Sequence, residues 1–137
     1  MHIIQLSESL AVAPQIARDD VAIIAARGYR VLVNNRPDGE EGAQPSADEL
    51  GELAQAAGLD YYHMPVTHRD FPGAEFAAFS ALVDDPDRPV LAFCRSGTRC
   101  ANLWVASRPA GELEKAIEAA RRIGFDLGMA GHYLARR

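Results

Sequence analysis

The run Pro89–Arg99, Pro-Val-Leu-Ala-Phe-Cys-Arg-Ser-Gly-Thr-Arg, constrains the fold of this chain more than any other stretch. Val90 to Phe93 is an apolar run of buried-strand character, a short polar loop carrying Gly97 follows, and Cys100–Ala106 reads as a helix. A strand that feeds a helix through so tight a loop turns successive backbone N–H groups toward one point. The helix N-terminus behind them adds roughly half a positive charge. Anything anionic in that cradle is stabilised, a thiolate included.

Cys94 closes the strand and faces those amides, with Arg95 and Arg99 adding positive charge. Its thiol is therefore expected to ionise below the free value of about 8.5 and to be nucleophilic near neutral pH. Gly97 suits a loop in which one residue must take positive φ. Ser96, Gly97 and Thr98 line the anion cradle, and Arg99 offers a planar two-pronged donor matched to an oxyanion. A cysteine ending a core strand is commonly inert packing; the Arg-Ser-Gly-Thr-Arg context favours the reactive reading.

At 137 residues and 48% hydrophobic composition, the chain is expected to form one domain, residues 1–137, around a sizeable core. A net charge of −5 without a dense Lys/Arg block excludes nucleic-acid or membrane-surface binding by bulk electrostatics, though not a local basic pocket. The N-terminal residues show no export signal and no segment is apolar enough to span a bilayer. Cys94 and Cys100 are the only cysteines, too few for a disulfide scaffold, so a reducing cytoplasm is the expected setting.

Along the chain, Ile3–Leu6 and Leu10–Val12 read as a small edge hairpin closed by Pro14. Asp19 and Asp20 cap a helix over Val21–Ala26 that stops at Gly28, and Tyr29–Asn34 is a buried parallel strand. The loop from Asn34 to Ser46 leaves its carboxyl end. In an open α/β sheet ligands bind beyond that end, so Arg36 and Asp38 become site candidates, unless they merely pair across the Pro-Asp-Gly turn. Ser46 and Glu49 form a capping box for a helix over Ala47–Ala57, and Tyr61–Val66 is the next strand.

The loop after it, Thr67–Gly73, puts Asp70 in position to act as a general acid over the cradle, with His68 or Arg69 on an anionic substrate. His63, inside the strand, reads as a packed or edge histidine rather than a ligand. Helices follow at Ala74–Val83, Cys100–Ala106 and Glu112–Ile123, the first with Phe76, Phe79, Leu82 and Val83 at core spacing, and a short helical piece ends the chain. The fold class is thus α/β, with a central, mainly parallel sheet flanked by helices.

The cradle resembles those of the cysteine-dependent phosphatases and the rhodanese sulfurtransferases. Phosphatase loops place five residues between Cys and Arg; here four lie between Cys94 and Arg99, and Cys100 holds the phosphatase Arg position. The tighter ring suits one extra sulfur atom better than a phosphoryl group. Over nearly the whole chain, Asn34-Asn35-Arg36-Pro37-Asp38-Gly39-Glu40, Gln44-Pro45-Ser46, His63-Met64-Pro65-Val66 and Phe93–Arg99 together resemble the beta-lactamase-hydrolase-like family, phosphatase-like domain. That resemblance implies a dual-specificity-phosphatase-like fold and either phosphatase or sulfur-transfer activity. Some members are fused to a metallo-β-lactamase-type sulfur dioxygenase, whose His-x-His-x-Asp run this chain lacks. Where such loops often continue with Ser or Thr, this chain has Cys100. It reads as a small buried residue, with a resolving role for a Cys94 disulfide or persulfide as the alternative.

The leading expectation from sequence is a sulfurtransferase: Cys94 takes the outer sulfur of thiosulfate or a persulfide and passes it to an acceptor thiol such as glutathione, with Arg99 and Arg95 holding the donor's anionic part. The alternative is a phosphatase with a phosphocysteine at Cys94 and Asp70 as general acid. A third reading is a redox sensor or anion-binding module. None of these chemistries requires a metal or organic cofactor.

Overall fold

The computed structural model describes residues 1–137. Its sheet has five strands: β1 (Ile4–Gln5), β2 (Leu10–Ala13), β3 (Val31–Asn34), β4 (Asp60–His63) and β5 (Val90–Phe93), in the spatial order β1-β2-β5-β3-β4. Only β1, the hairpin edge, runs antiparallel. The last strand inserts between β2 and β3, with Val90 opposite Leu10 on one side and Val31 on the other. Every residue of β5 is fully buried, as a central parallel strand covered on both faces must be. The chain beyond Phe93 therefore emerges at the point where strand order reverses, the crevice that open α/β sheets use for ligands.

Period-two alternation sorts the side chains of β5. Leu91 and Phe93 pack with Val21 and Ile24 of α1 (Asp20–Ala26) and Leu50 and Ala54 of α2 (Ala47–Ala56). Val90, Ala92 and Cys94 face the other layer, α3 (Phe76–Leu82), α4 (Thr98–Ala106), α5 (Leu113–Ile123) and α6 (Gly128–Arg136). Strand parity alone thus aims Cys94 at the first turn of α4. Trp104 lies in that same layer, buried, with the Arg108 guanidinium 5.4 Å from its ring centroid. No helix is long and apolar enough to cross a membrane.

The elements follow the sequence expectations with local differences. Asp19 makes no side-chain cap to α1; Asp20 instead accepts the Ala17 N–H at 2.8 Å. Ser46 does cap α2, accepting the Glu49 N–H at 3.1 Å, but the Glu49 carboxylate turns away to Arg18, so the reciprocal half of the box is missing. The fourth strand ends at His63 rather than Val66. Met64 and Val66 still donate to Asn34 and Asn35 carbonyls at 2.8 and 3.1 Å, but Pro65 between them has no N–H to continue the ladder. Helix α4 begins at Thr98, two residues before the expected Cys100, because Gly97 at φ 86° makes the turn itself.

Candidate active site

The cradle is held from both sides of β5. Cys94 N–H donates to Ala13 O at 3.4 Å, Gln15 N–H to Arg95 O at 3.2 Å, and Asn35 N–H to Phe93 O at 2.8 Å, so the ends of β2 and β3 grip the loop. Gly97 folds the loop back and its N–H donates to Cys94 Sγ at 3.1 Å. Cys94 is fully buried, yet its thiol is pulled down to about 6. The neighbouring Cys100 thiol, donating to the Cys94 sulfur, contributes most to that drop; burial opposes it, and the amides of Cys100, Ser96 and Arg99 add to it. Cys100 itself is pushed well above its ordinary range, first by burial and then by its partner, so it remains the protonated donor. Both cysteines are free thiols.

Over this cradle lies an ion network. Arg99 sends both terminal nitrogens to the Glu40 carboxylate, at 2.9 and 2.8 Å, and a further bond of 3.0 Å to Val66 O. Arg36 donates from Nε to Glu40 at 2.8 Å, from one terminal nitrogen to Glu41 at 2.8 Å and from the other to Gln15 at 2.9 Å. Arg95 reaches Glu41 at 3.3 Å. Hydrogen bonds from Arg99 chiefly, and from Arg36, draw Glu40 down to about 2 against the cost of its partial burial. At neutral pH Glu40 is an anion sitting in the donor fork that a substrate oxyanion would use.

Two of the sequence candidates have other work in the structure. Arg36 is only 1% exposed and its donors are spent on Gln15, Glu40 and Glu41, so it braces the loop rather than facing substrate. Asp38 does not pair with it either; its carboxylate accepts the Ala47 N–H at 2.8 Å, at the start of α2. His63 is an edge-strand histidine whose Nε2 lies 2.9 Å from Arg36 O. The cradle does gather Cys94, Gly97, Arg99 and Cys100. Ser96 and Thr98 sit on its rim, their hydroxyls 2.9 Å apart, and Arg95 is largely exposed beside them.

Asp70 is exposed in the loop after β4, its N–H donating to Thr67 Oγ1 at 3.1 Å, and the Arg99 bond to Val66 O ties the start of that loop to the cradle. His68 lines two adjoining cavities of about 500 and 360 Å³, the smaller of which reaches Thr98. No group of three or more His, Cys, Asp or Glu side chains is placed to hold a metal ion. Glu40, Glu41 and Gln15 were not singled out from sequence. Two acids directly after a Pro-Asp-Gly turn, beyond a strand's carboxyl end and facing a loop with two arginines, were the signal available.

The mainly parallel sheet with helices on both faces, and a cysteine at the carboxyl end of its central strand, has the fold of the tyrosine-phosphatase and dual-specificity-phosphatase class. The Tk-PTP structure in its active form shares the fold with a TM-score of 0.73 at 19% identity, over 98% of this chain and 93% of that one. The family follows: residues 2–111 match the model described as beta-lactamase hydrolase-like protein, phosphatase-like domain, and the chain belongs to that family. A beta-lactamase hydrolase-like protein of Xylella fastidiosa strain 9a5c is 37% identical across 100% of this chain. This chain spans only 32% of that relative's length. A Neisseria meningitidis Z2491 crystal structure, described provisionally as a phosphatase, is 35% identical with a TM-score of 0.71, covering 88% of this chain and 89% of that one.

Proposed function

We propose that this chain is a cysteine-dependent phosphatase acting on small phosphoesters, with residues 1–137 as one catalytic domain. The observation that carries the reading is the Cys94 thiol at the carboxyl end of the central strand, drawn down to about 6 by the Cys100 thiol first and by the loop amides after it. Its sulfur attacks phosphorus, the P–O bond to the leaving group breaks, and Asp70 gives that oxygen its proton. Water then attacks the phosphocysteine, Asp70 takes the proton back, and Cys94 leaves as thiolate with orthophosphate released. Glu40 is no rival for the acid role, since a carboxyl near 2 carries no proton to donate at neutral pH. Substrate oxygens displace its carboxylate from Arg99 when they bind. A reducing, cytoplasmic setting keeps both thiols free for this chemistry.

One feature favours sulfur transfer as a second reading: four residues, not five, separate Cys94 from Arg99. In that reaction the Cys94 thiolate attacks the outer sulfur of thiosulfate, sulfite leaves, and a thiol such as glutathione takes the sulfur from the Cys94 persulfide and regenerates the thiolate.

Intact mass spectrometry separates the two. Brief exposure to an aryl phosphate should add one phosphoryl group to wild type and none to Cys94→Ser, and Asp70→Asn should slow phosphate release by about 10²–10⁴-fold. A one-sulfur adduct from thiosulfate that glutathione removes, with no phosphoryl adduct, would replace the phosphatase with the sulfurtransferase. No adduct from either reagent would sink both.

A further inference from the structure

Beside the cradle the molecule collects positive charge against its overall sign. Of its arginines, Arg27, Arg30, Arg69, Arg121, Arg136 and Arg137 take part in no ion pair, and three of these six line the cavity of about 500 Å³. That cavity has no Asp or Glu side chain in its wall, in a chain of net charge −5. Its cations come from two elements. His68 and Arg69 belong to the loop after β4; His132 and Arg136 follow one another at i, i+4 on α6, with Met129 and Tyr133 completing the stripe. Phe71 and Tyr133, edge to face at 6.2 Å, give it an apolar side. The adjoining cavity shares His68, Met129 and His132 and ends at Thr98 on the cradle rim. Its one acid, Asp126, is engaged by the Gly128 N–H at 2.8 Å.

We infer that this groove is a second anion subsite, and that the substrate carries a second anionic group on a stem reaching from the Cys94 cradle to Arg69 and Arg136. The inference rests on the phosphatase reading for what happens at Cys94, but the groove binds its anion whatever the chemistry there. Unpaired guanidinium groups converging on one cavity gain most from a ligand that supplies the missing charge, while Phe71 and Tyr133 take up the stem.

The test uses Cys94→Ser and calorimetry with bisphosphates of straight-chain diols, ethane-1,2-diol to hexane-1,6-diol, each against its monophosphate. At the matching length the bisphosphate should bind roughly ten- to a hundredfold tighter, the range of one or two charge-assisted hydrogen bonds. Adding Arg69→Gln and Arg136→Gln should erase the gain, whereas Arg121→Gln on α5 should keep it; all are surface changes, checked by an unchanged thermal midpoint. Absence of a gain at every length, failure of any of these compounds to bind, or a gain that survives the double substitution overturns the subsite. Turnover by the wild-type cysteine enzyme is read separately. Bisphosphate preference without phosphate release refutes the phosphatase and leaves the subsite; phosphate release without preference does the reverse.

Discussion

At the scale of single residues, the chemistry turns on two sulfurs of opposite disposition. Cys100 stays protonated because burial penalises its charge, and as a thiol it donates to Cys94 and holds that neighbour as thiolate. Iodoacetamide alkylation of Cys94, followed by mass spectrometry, should therefore rise with pH through a midpoint near 6. Cys100→Ala removes the largest of the supports and should move that midpoint up toward the free-thiol value of about 8.5. An unmoved midpoint would assign the thiolate to the amides alone. Cys94 and Gly97 were legible in the sequence because strand, thiol, glycine and helix are contiguous. The weight carried by Cys100 was not: its burial was expected, but that its thiol lies close enough to donate to Cys94 only the folded loop reveals.

At the scale of elements, the loop between β5 and α4 depends on one backbone conformation. Gly97 has φ 86°, a region that costs an L-residue roughly 1–2 kcal/mol. Space is not the obstacle, since an added Cβ would meet Ala13 backbone at 3.5 Å, an ordinary contact. Gly97→Ala should thus lower stability in urea unfolding by about 1–2 kcal/mol and weaken the Cys94 thiolate by turning its nearest N–H aside. Gly111→Ala, in open space at ordinary φ, is the comparison and should be close to neutral; equal losses in both would remove the conformational explanation. Element types and order were readable from apolar periodicity, and the differences fall at ends, where a proline or a distant arginine decides. Glu49 satisfied the sequence pattern of a capping box, but Arg18, 31 residues away, claimed its carboxylate. The stripe on α6 went unread because a short closing helix acquires meaning only from the loop after β4 that it faces.

At the scale of the whole molecule, the network around Arg36 joins segments that no local pattern connects. Gln15 follows β2, Arg36, Glu40 and Glu41 follow β3, Arg95 and Arg99 follow β5, and Glu40 to Arg99 spans 59 positions. Sequence placed Arg36 and Asp38 at the right edge of the sheet without the partners they take there, Glu40, Glu41 and Gln15 for one and the Ala47 N–H for the other, because which groups meet is settled by the folded loops. The network also gives the fold an acid limit. Glu40 ionises near 2 in the folded chain and at roughly 4.3 when unfolded, so the unfolded state takes up the proton first as pH falls. Its stabilising contribution is whole above the unfolded value and is lost as pH drops toward 2. Glu40→Gln should cost about 1–2 kcal/mol at pH 7, a partly exposed carboxylate being screened by solvent even while it serves a buried guanidinium. The gap between wild type and Glu40→Gln, measured by denaturant unfolding at pH 7, 4 and 3, should narrow with each step. A gap of constant size would mean that Glu40 holds the loops together by shape and hydrogen bonding alone, with its charge contributing nothing to the fold.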